Sequence, residues 1–448
     1  MMARRDHIHI VQLPFPSLSA PHPDVVDYYR DYGRVFSEVA SDYFVPEGGL
    51  WELPLWVAHL AGMLKSVGYV PRFSDLSTTP PQIDACAAEL LAQTRVGDAL
   101  LFSPLAQNLD LAVAVSRQLM TCGRVTLLGG NMTPLVADGD ATIVHHGHVT
   151  PQGLEAALAG RHPPMVHPLK RGEVASWRPS YDLLDGYRGK VPLLRLNASH
   201  GCLYACDFCG DAWSRRLVLV EADVLECEVT QFEQRFPEIG LIYIGDKTFG
   251  QSPEAVRNLL KVFAGRDRFR FIVQTHILAL DDDLIGAMER LGVVVVELGF
   301  ESASTSLLRE NHKPHLQLPV LADRIARLTE RGIRVVLNVL SGLPGETRED
   351  HCRTLDVISD RRTGAWLYNL YNFVPYPLAP QFARLRDRIV DWTYAHWRED
   401  GPPVFVPDHV TREQSFQFFL EKVACAHDAV LRSRPVGAGA VAGDRRLM

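Results

Sequence analysis

The chain has 448 residues, 47% hydrophobic and 22% charged, an ordinary globular composition with length for two packed cores. A net charge of -7 without a long basic run disfavours a nucleic-acid partner. The mild acidic excess is compatible with a cationic substrate, although solubility alone accounts for it.

The sequence opens MMARRDHIHIVQLPF, whose apolar stretch is short and broken by His and Gln. It is unlike a signal peptide or a membrane span, so a cytoplasmic protein with no membrane partner is expected. Residues 8–13 read as an apolar strand, 51–67 carry helical periodicity, 69–73 form a short strand, and a helix begins after Pro80 and Pro81. A strand at 99–102, a helix at 109–121, a strand at 125–128 and a short strand at 141–145 follow. This alternation predicts a doubly wound, Rossmann-type parallel sheet over residues 1–165, whose ligands would bind beyond the strand carboxyl ends. The informative loops are then 14–50, 103–110 and Gly129-Gly130-Asn131, where the glycine pair either admits close backbone approach or makes a tight turn. Segment 14–50 is long and rich in aromatics and acids (Asp27, Tyr28, Tyr29, Asp31, Tyr32, Phe36, Tyr43, Phe44). It reads as a lid or binding segment, or equally as a helical insertion packed on the second domain.

Residues 166–192 lack a sustained period and read as a linker. Strands at 193–197, 241–244, 269–274, 293–298, 335–340 and 366–373, with helices between them, predict a parallel barrel or an open six-strand fragment of one over residues 193–375. Residues 376–448 predict a small helical extension, with helices at 381–397 and 411–431 and a disordered tail from 434.

Eight cysteines are too sparse for a disulfide scaffold, yet three lie within residues 202–209, which points to a metal site in a reducing compartment. Cys86, Cys122, Cys227, Cys352 and Cys425 are scattered singly and read as small apolar side chains. The loop after the first barrel strand runs His200-Gly201-Cys202-Leu203-Tyr204-Ala205-Cys206-Asp207-Phe208-Cys209-Gly210. Three thiolates spaced by three and then two residues, with glycines at both edges, can wrap one compact cluster. A cubane held by three ligands keeps one iron free to chelate a small molecule. Structural zinc would demand a fourth ligand, for which His200 is the nearby choice, but zinc patterns pair two cysteines with a distant second pair.

These residues resemble the radical S-adenosylmethionine (SAM) superfamily, whose hallmark is this cysteine spacing with an aromatic before the last cysteine, as Phe208 is here. The resemblance implies a 4Fe-4S cluster on Cys202, Cys206 and Cys209, with SAM bound at the open iron and cleaved by one electron to methionine and a 5'-deoxyadenosyl radical. It further implies that Phe208, Gly210, Gln274, Glu301, Ser302, Asn338, Gly342 and Pro344 contact the cofactor from the strand ends. Asp246, Lys247 and His276 are the expected acid-base groups. Charged strand ends and an ordinary Pro-Gly turn are the plain readings of the same loops.

A doubly wound sheet ahead of this barrel resembles the radical SAM subclass with an N-terminal cobalamin-binding domain. Ser103-Pro104-Leu105 and Leu128-Gly129-Gly130-Asn131 sit where that domain cradles the corrin, so cobalamin is a further cofactor to test. No Asp-x-His-x-x-Gly segment offers cobalt a lower ligand, and Val144-His145-His146-Gly147-His148-Val149 replaces the usual acidic glycine segment. In size and layout the chain is also similar to the radical SAM diol dehydratases of aminoglycoside biosynthesis. That resemblance implies dehydration or deoxygenation of a polar, cationic aminosugar in antibiotic biosynthesis, with a flavodoxin-type electron donor and a dedicated reductase as partners. Cobalamin-dependent C-methyl transfer is the alternative. A non-catalytic iron-sulfur electron carrier is a third reading, disfavoured because carriers complete their cluster with a fourth ligand.

Overall fold

A computed structural model describes residues 7–15, 21–39, 53–161, 178–210, 215–314 and 317–432. Strands β1 (Ile8–Gln12), β2 (Pro71–Asp75), β3 (Ala99–Phe102), β4 (Val125–Leu128) and β5 (Ile143–Val144) form one sheet in the order β2-β1-β3-β4-β5. All its pairings are parallel, as expected of strands such as Ala99–Phe102 that are apolar throughout and buried on both faces. Helices Leu55–Ser66, Ile83–Gln93 and Leu109–Thr121 make the crossovers. The strand order reverses between β1 and β3, the place where doubly wound sheets open a crevice.

The second sheet begins with β6 (Leu193–Leu196). A short antiparallel pair, β7 (Ser199–Gly201) with β8 (Leu217–Leu219), comes next, followed by β9 (Leu241–Ile244), β10 (Arg270–Thr275), β11 (Val293–Glu301), β12 (Arg334–Ser341) and β13 (Leu367–Asn372). The order β13-β12-β11-β10-β9-β6 is parallel throughout, a six-strand partial barrel as the sequence predicts. Local signals delimit its helices. Asp281 accepts the Leu284 N–H to start the helix Asp282–Leu291, and Gly292 at φ 85 ends it.

The helix Pro23–Phe36 lies inside the segment read as a lid or an insertion, and it is the insertion. Tyr28 Oη donates to the Tyr368 carbonyl, Tyr29 Oη donates to the Leu370 carbonyl at 2.9 Å, and the Phe36 ring lies 5.4 Å from that of Trp366. The helix thus covers β13, an edge strand whose backbone groups would otherwise lack partners. Tyr43 and Phe44 lie outside the described residues, as does the tail from 434.

Two expectations change. The helix at 381–397 stops at Leu385 and gives way to single turns at Arg386–Arg388 and Tyr394–His396. Ile389 instead bridges to Phe405, and Trp397, fully buried, donates its Nε1–H to the Asp391 carbonyl at 3.0 Å. Burial of one large ring overrides helical periodicity here. The described end of the linker, residues 178–192, is also more ordered than its composition suggests, because Tyr181 is buried against Phe232 and Asp182–Tyr187 forms a helical turn. Among the described residues no helix is long and apolar enough to cross a membrane.

Candidate active site

The β7–β8 pair joins residues 199–201 to 217–219 and so closes the cysteine loop at its neck. Cys206 is buried, while Cys202 and Cys209 are half-buried. Burial pushes the Cys206 thiol up to about 12, with the Lys313 ammonium opposing it, so this sulfur stays protonated unless a further cation sits on it. Iron provides that charge. Cys202 Sγ lies 3.2 Å from Gln251 Nε2 and 3.7 Å from Thr248 Oγ1, contacts that orient the sulfur from the loop after β9. Three thiols on one clamped loop fit a cubane with one iron left to a small molecule. His200 turns toward the first domain: its ring packs edge-on to His59 at 6.3 Å, and its electrostatic neighbours are His59, His148 and Lys247.

The outer side of the loop is held by Asp207, whose carboxylate takes the Arg384 guanidinium and His312 Nδ1. Phe208 packs into the apolar cluster of Leu343, Phe373 and Trp397, whereas no atom lies within 4 Å of where a side chain on Gly210 would begin.

At the end of β11, Glu301 adopts φ 64 beside a register shift, a left-handed conformation rare for a side chain of this size. Its Oε1 lies 3.1 Å from Lys313 Nζ, with both side chains largely buried at 12% and 8% exposure. A Cβ on Gly299 would come within 2.8 Å of both groups, so a side chain there would push the pair apart. Lys313 also interacts electrostatically with Cys206 and Cys209, which places an ammonium beside the thiols. Sequence reasoning missed Lys313, because a single lysine in a polar turn gives no sign of being buried. Ser302, expected at the cofactor, spends its hydroxyl on Thr354 Oγ1 at 3.2 Å and on the Ser304 N–H at 3.1 Å.

The loop after β12 is locked. Gly342, at φ 74, donates its N–H to Glu346 Oε2 at 2.7 Å, and Pro344 accepts the Asp408 N–H at 2.8 Å. Glu346 Oε1 pairs with Lys422 Nζ at 2.5 Å, and that ammonium also donates to Ser341 Oγ at 2.9 Å. The pair is almost sealed from solvent, at 2% and 1% exposure. It ties the loop to the C-terminal helix Arg412–Ala426.

Asp246 is held by three hydrogen bonds. Its Oδ1 accepts the N–H groups of Ala198 at 2.7 Å and Ser199 at 2.9 Å, and its Oδ2 accepts the Ser199 hydroxyl at 2.6 Å. Burial pushes this carboxyl up to about 6 against those bonds. These bonds tie the loop after β9 to the segment leading into the cysteine loop. Lys247, next in the chain, is exposed. His276 is buried and pushed down to about 3, hence neutral; its Nδ1 accepts the Leu278 N–H at 3.1 Å, and its ring lies 4.3 Å from that of Tyr204. Gln274 and Asn338 lie deeper in the barrel, against Tyr243 and Asn369.

His148, after β5, neighbours His200, so the strand ends of the first sheet meet the cysteine-loop neck. One side of those ends is filled: Trp397 packs in one cluster with Ala106, Leu109 and Met132 from the turns after β3 and β4. On the other side Ser103, Leu105 and Asn131 are exposed. A Cβ on Gly130 would lie 2.8 Å from Ser103 Oγ, so the two turns approach closely.

A three-cysteine loop at the mouth of a parallel partial barrel defines a class, and the comparisons agree: residues 196–358 match the Radical SAM superfamily. The chain carries a radical SAM domain, and that family implies a 4Fe-4S cluster and SAM as cofactors. Among curated proteins it is similar to the tRNA-2-methylthio-N(6)-dimethylallyladenosine synthase of Shewanella baltica (strain OS155 / ATCC BAA-1091), 27% identical over 226 residues, 45% of this chain and 46% of that one. The same-named synthase of Parafrankia sp. (strain EAN1pec) is 27% identical over 353 residues, 72% of this chain and 65% of that one. The chain therefore spans about half to two thirds of these relatives' length. Among solved structures it is similar to the radical SAM methyltransferase TsrM from Kitasatospora setae with cobalamin and a [4Fe-4S] cluster bound (TM-score 0.63, 16% identity, 86% of this chain and 78% of that one). The cobalamin-dependent radical enzyme OxsB with aqua-cobalamin bound gives a TM-score of 0.58 at 14% identity, over 80% of this chain and 52% of that one. These likenesses concern the fold, a doubly wound sheet joined to a radical SAM barrel.

Proposed function

We propose that this radical SAM enzyme removes a hydrogen atom from a small polar metabolite and completes a dehydration, with an external electron donor and a reductase as partners. Cys202, Cys206 and Cys209 would hold the cluster, and the Lys313 ammonium beside two of these sulfurs would offer the carboxylate of SAM a cationic partner. The locked Gly342–Glu346 turn shapes the far wall, and Asp246 fixes the strand that carries the loop. Bound together, the cluster and SAM supply the electron and the 5'-deoxyadenosyl radical that start the reaction. The choice of dehydration rests on Trp397, which fills the turns after β3 and β4 and gives the first sheet a structural use. Methyl transfer is the second reading, favoured by the exposed Ser103, Leu105 and Asn131. With Gly130 these would hold a corrinoid, which supplies a methyl carrier.

Anaerobic reconstitution with SAM and a panel of aminosugars decides between them. A product lighter by one water, from protein that shows no corrin absorbance after desalting in cobalamin, supports dehydration; a product heavier by one methylene overturns it. Cys206→Ala should abolish deoxyadenosine release while leaving the circular dichroism unchanged, and normal release by that variant would falsify the cluster assignment.

A further inference from the structure

We infer that Gln251 sets the reduction potential of the cluster through a hydrogen bond to the sulfur of Cys202. This inference rests on the radical SAM reading and names a tuning residue for its cofactor. The Gln251 side chain bridges two points of the cysteine loop: its Nε2 donates to Cys202 Sγ at 3.2 Å, and its Oε1 accepts the Leu203 N–H at 3.0 Å. The second bond fixes the orientation of the first. A backbone N–H can only donate, so the carbonyl end of the carboxamide faces Leu203 and its amide hydrogens face the sulfur.

The neighbouring hydroxyl does not duplicate this donor. Thr248 Oγ1 lies 3.7 Å from Cys202 Sγ, but it donates its proton to the Lys247 carbonyl at 2.8 Å. The main chain that carries Gln251 is held on both sides. Before it, the Phe249 N–H donates to the Gln274 carbonyl at 2.8 Å and Thr275 Oγ1 donates to the Phe249 carbonyl at 2.6 Å, so the turn is pinned to β10. After it, Ser252 caps the helix Pro253–Val262 by accepting the Ala255 N–H. A donor on so fixed a backbone keeps its aim while the charge on the sulfur changes.

Reduction brings that change. One electron from an external reductant adds one negative charge to the cluster; no bond to the protein forms or breaks, and the charge spreads onto the ligand sulfurs. An N–H aimed at a ligand sulfur therefore favours the reduced cluster over the oxidised one and raises the potential. A residue that only braced the loop would leave the potential where it is.

The test is a dye-mediated redox titration of the full-length, anaerobically reconstituted protein without SAM at pH 8, followed by electron paramagnetic resonance of the reduced cluster. Gln251→Leu occupies a similar volume, keeps water from the sulfur and lacks the donor. It should lower the reduction equilibrium constant about tenfold, a shift of about 59 mV to more negative potential for one electron. Gln251→Glu keeps an acceptor for the Leu203 N–H but sets a negative charge beside the sulfur in place of a donor. It should shift at least as far in the same direction, and it serves if the leucine variant does not load. Iron and sulfide per chain should match the wild type in both. A potential equal to or above that of the wild type in a variant that loads, or loss of the cluster from both variants, would overturn the inference. A reducible cluster indifferent to residue 251 removes only the role of Gln251; a wild type that binds no reducible cluster removes the radical reading itself.

Discussion

Lys313 is the single side chain on which the cofactor end of the barrel most depends, because its ammonium faces Glu301 and the thiols at once. Lys313→Met leaves a buried carboxylate without its cation, a loss of roughly 3–5 kcal/mol in comparable pairs, and should raise the KM for SAM by at least about tenfold. Arginine at the same position should recover part of the affinity, and steady-state kinetics read both effects. Glu228 yields a separate, pH-dependent expectation. It is fully buried beneath the Tyr181 hydroxyl, and burial pushes its carboxyl from 4.5 to about 8. The folded state then holds a proton that the unfolded chain has released between those values, so the group is at its least costly below about pH 5 and stability falls as pH rises through 8. Glu228→Gln should flatten the pH dependence of Tm across that window. A variant that follows the wild type at every pH would contradict the assignment.

At the scale of elements, the Lys422–Glu346 pair couples the C-terminal helix to the loop after β12. Lys422→Met should lower stability by about 3–5 kcal/mol in urea titrations, and adding Glu346→Gln should restore part of the loss by removing the stranded charge. The eleven parallel strands were legible in the sequence because runs such as Val293–Leu298 are β-branched and are followed by helical periods. The cysteine loop was legible from spacing alone. Three features were not: the lysine at 313, whose burial depends on Glu301 and the cysteine loop; the occupied state of Asp246, set by the backbone N–H groups of Ala198 and Ser199; and the broken helix after Leu385, undone by Trp397. Each is decided by contacts between distant segments, which local pattern does not carry. The insertion at Pro23–Phe36 stood between, since its tyrosines announced packing without naming β13 as the surface.

Over the whole molecule, one apolar core runs from Ile8 in the first sheet through Leu193 and Val296 to Ala426 in the last helix. The Leu53 N–H donates to the Leu193 carbonyl at 3.2 Å, so the main chain entering helix Leu55–Ser66 is tied to β6. Inter-domain surfaces of this continuity leave little reason for independent unfolding. Scanning calorimetry should show one transition; two resolved peaks would mean that the sheets are separate units.

The β7–β8 pair has a practical corollary for oxygen damage. With both roots of the loop tied by main-chain bonds, losing the iron strips only the turn between them and leaves the barrel wall standing. Air exposure followed by iron and sulfide should therefore refill the site, with far-ultraviolet circular dichroism unchanged throughout.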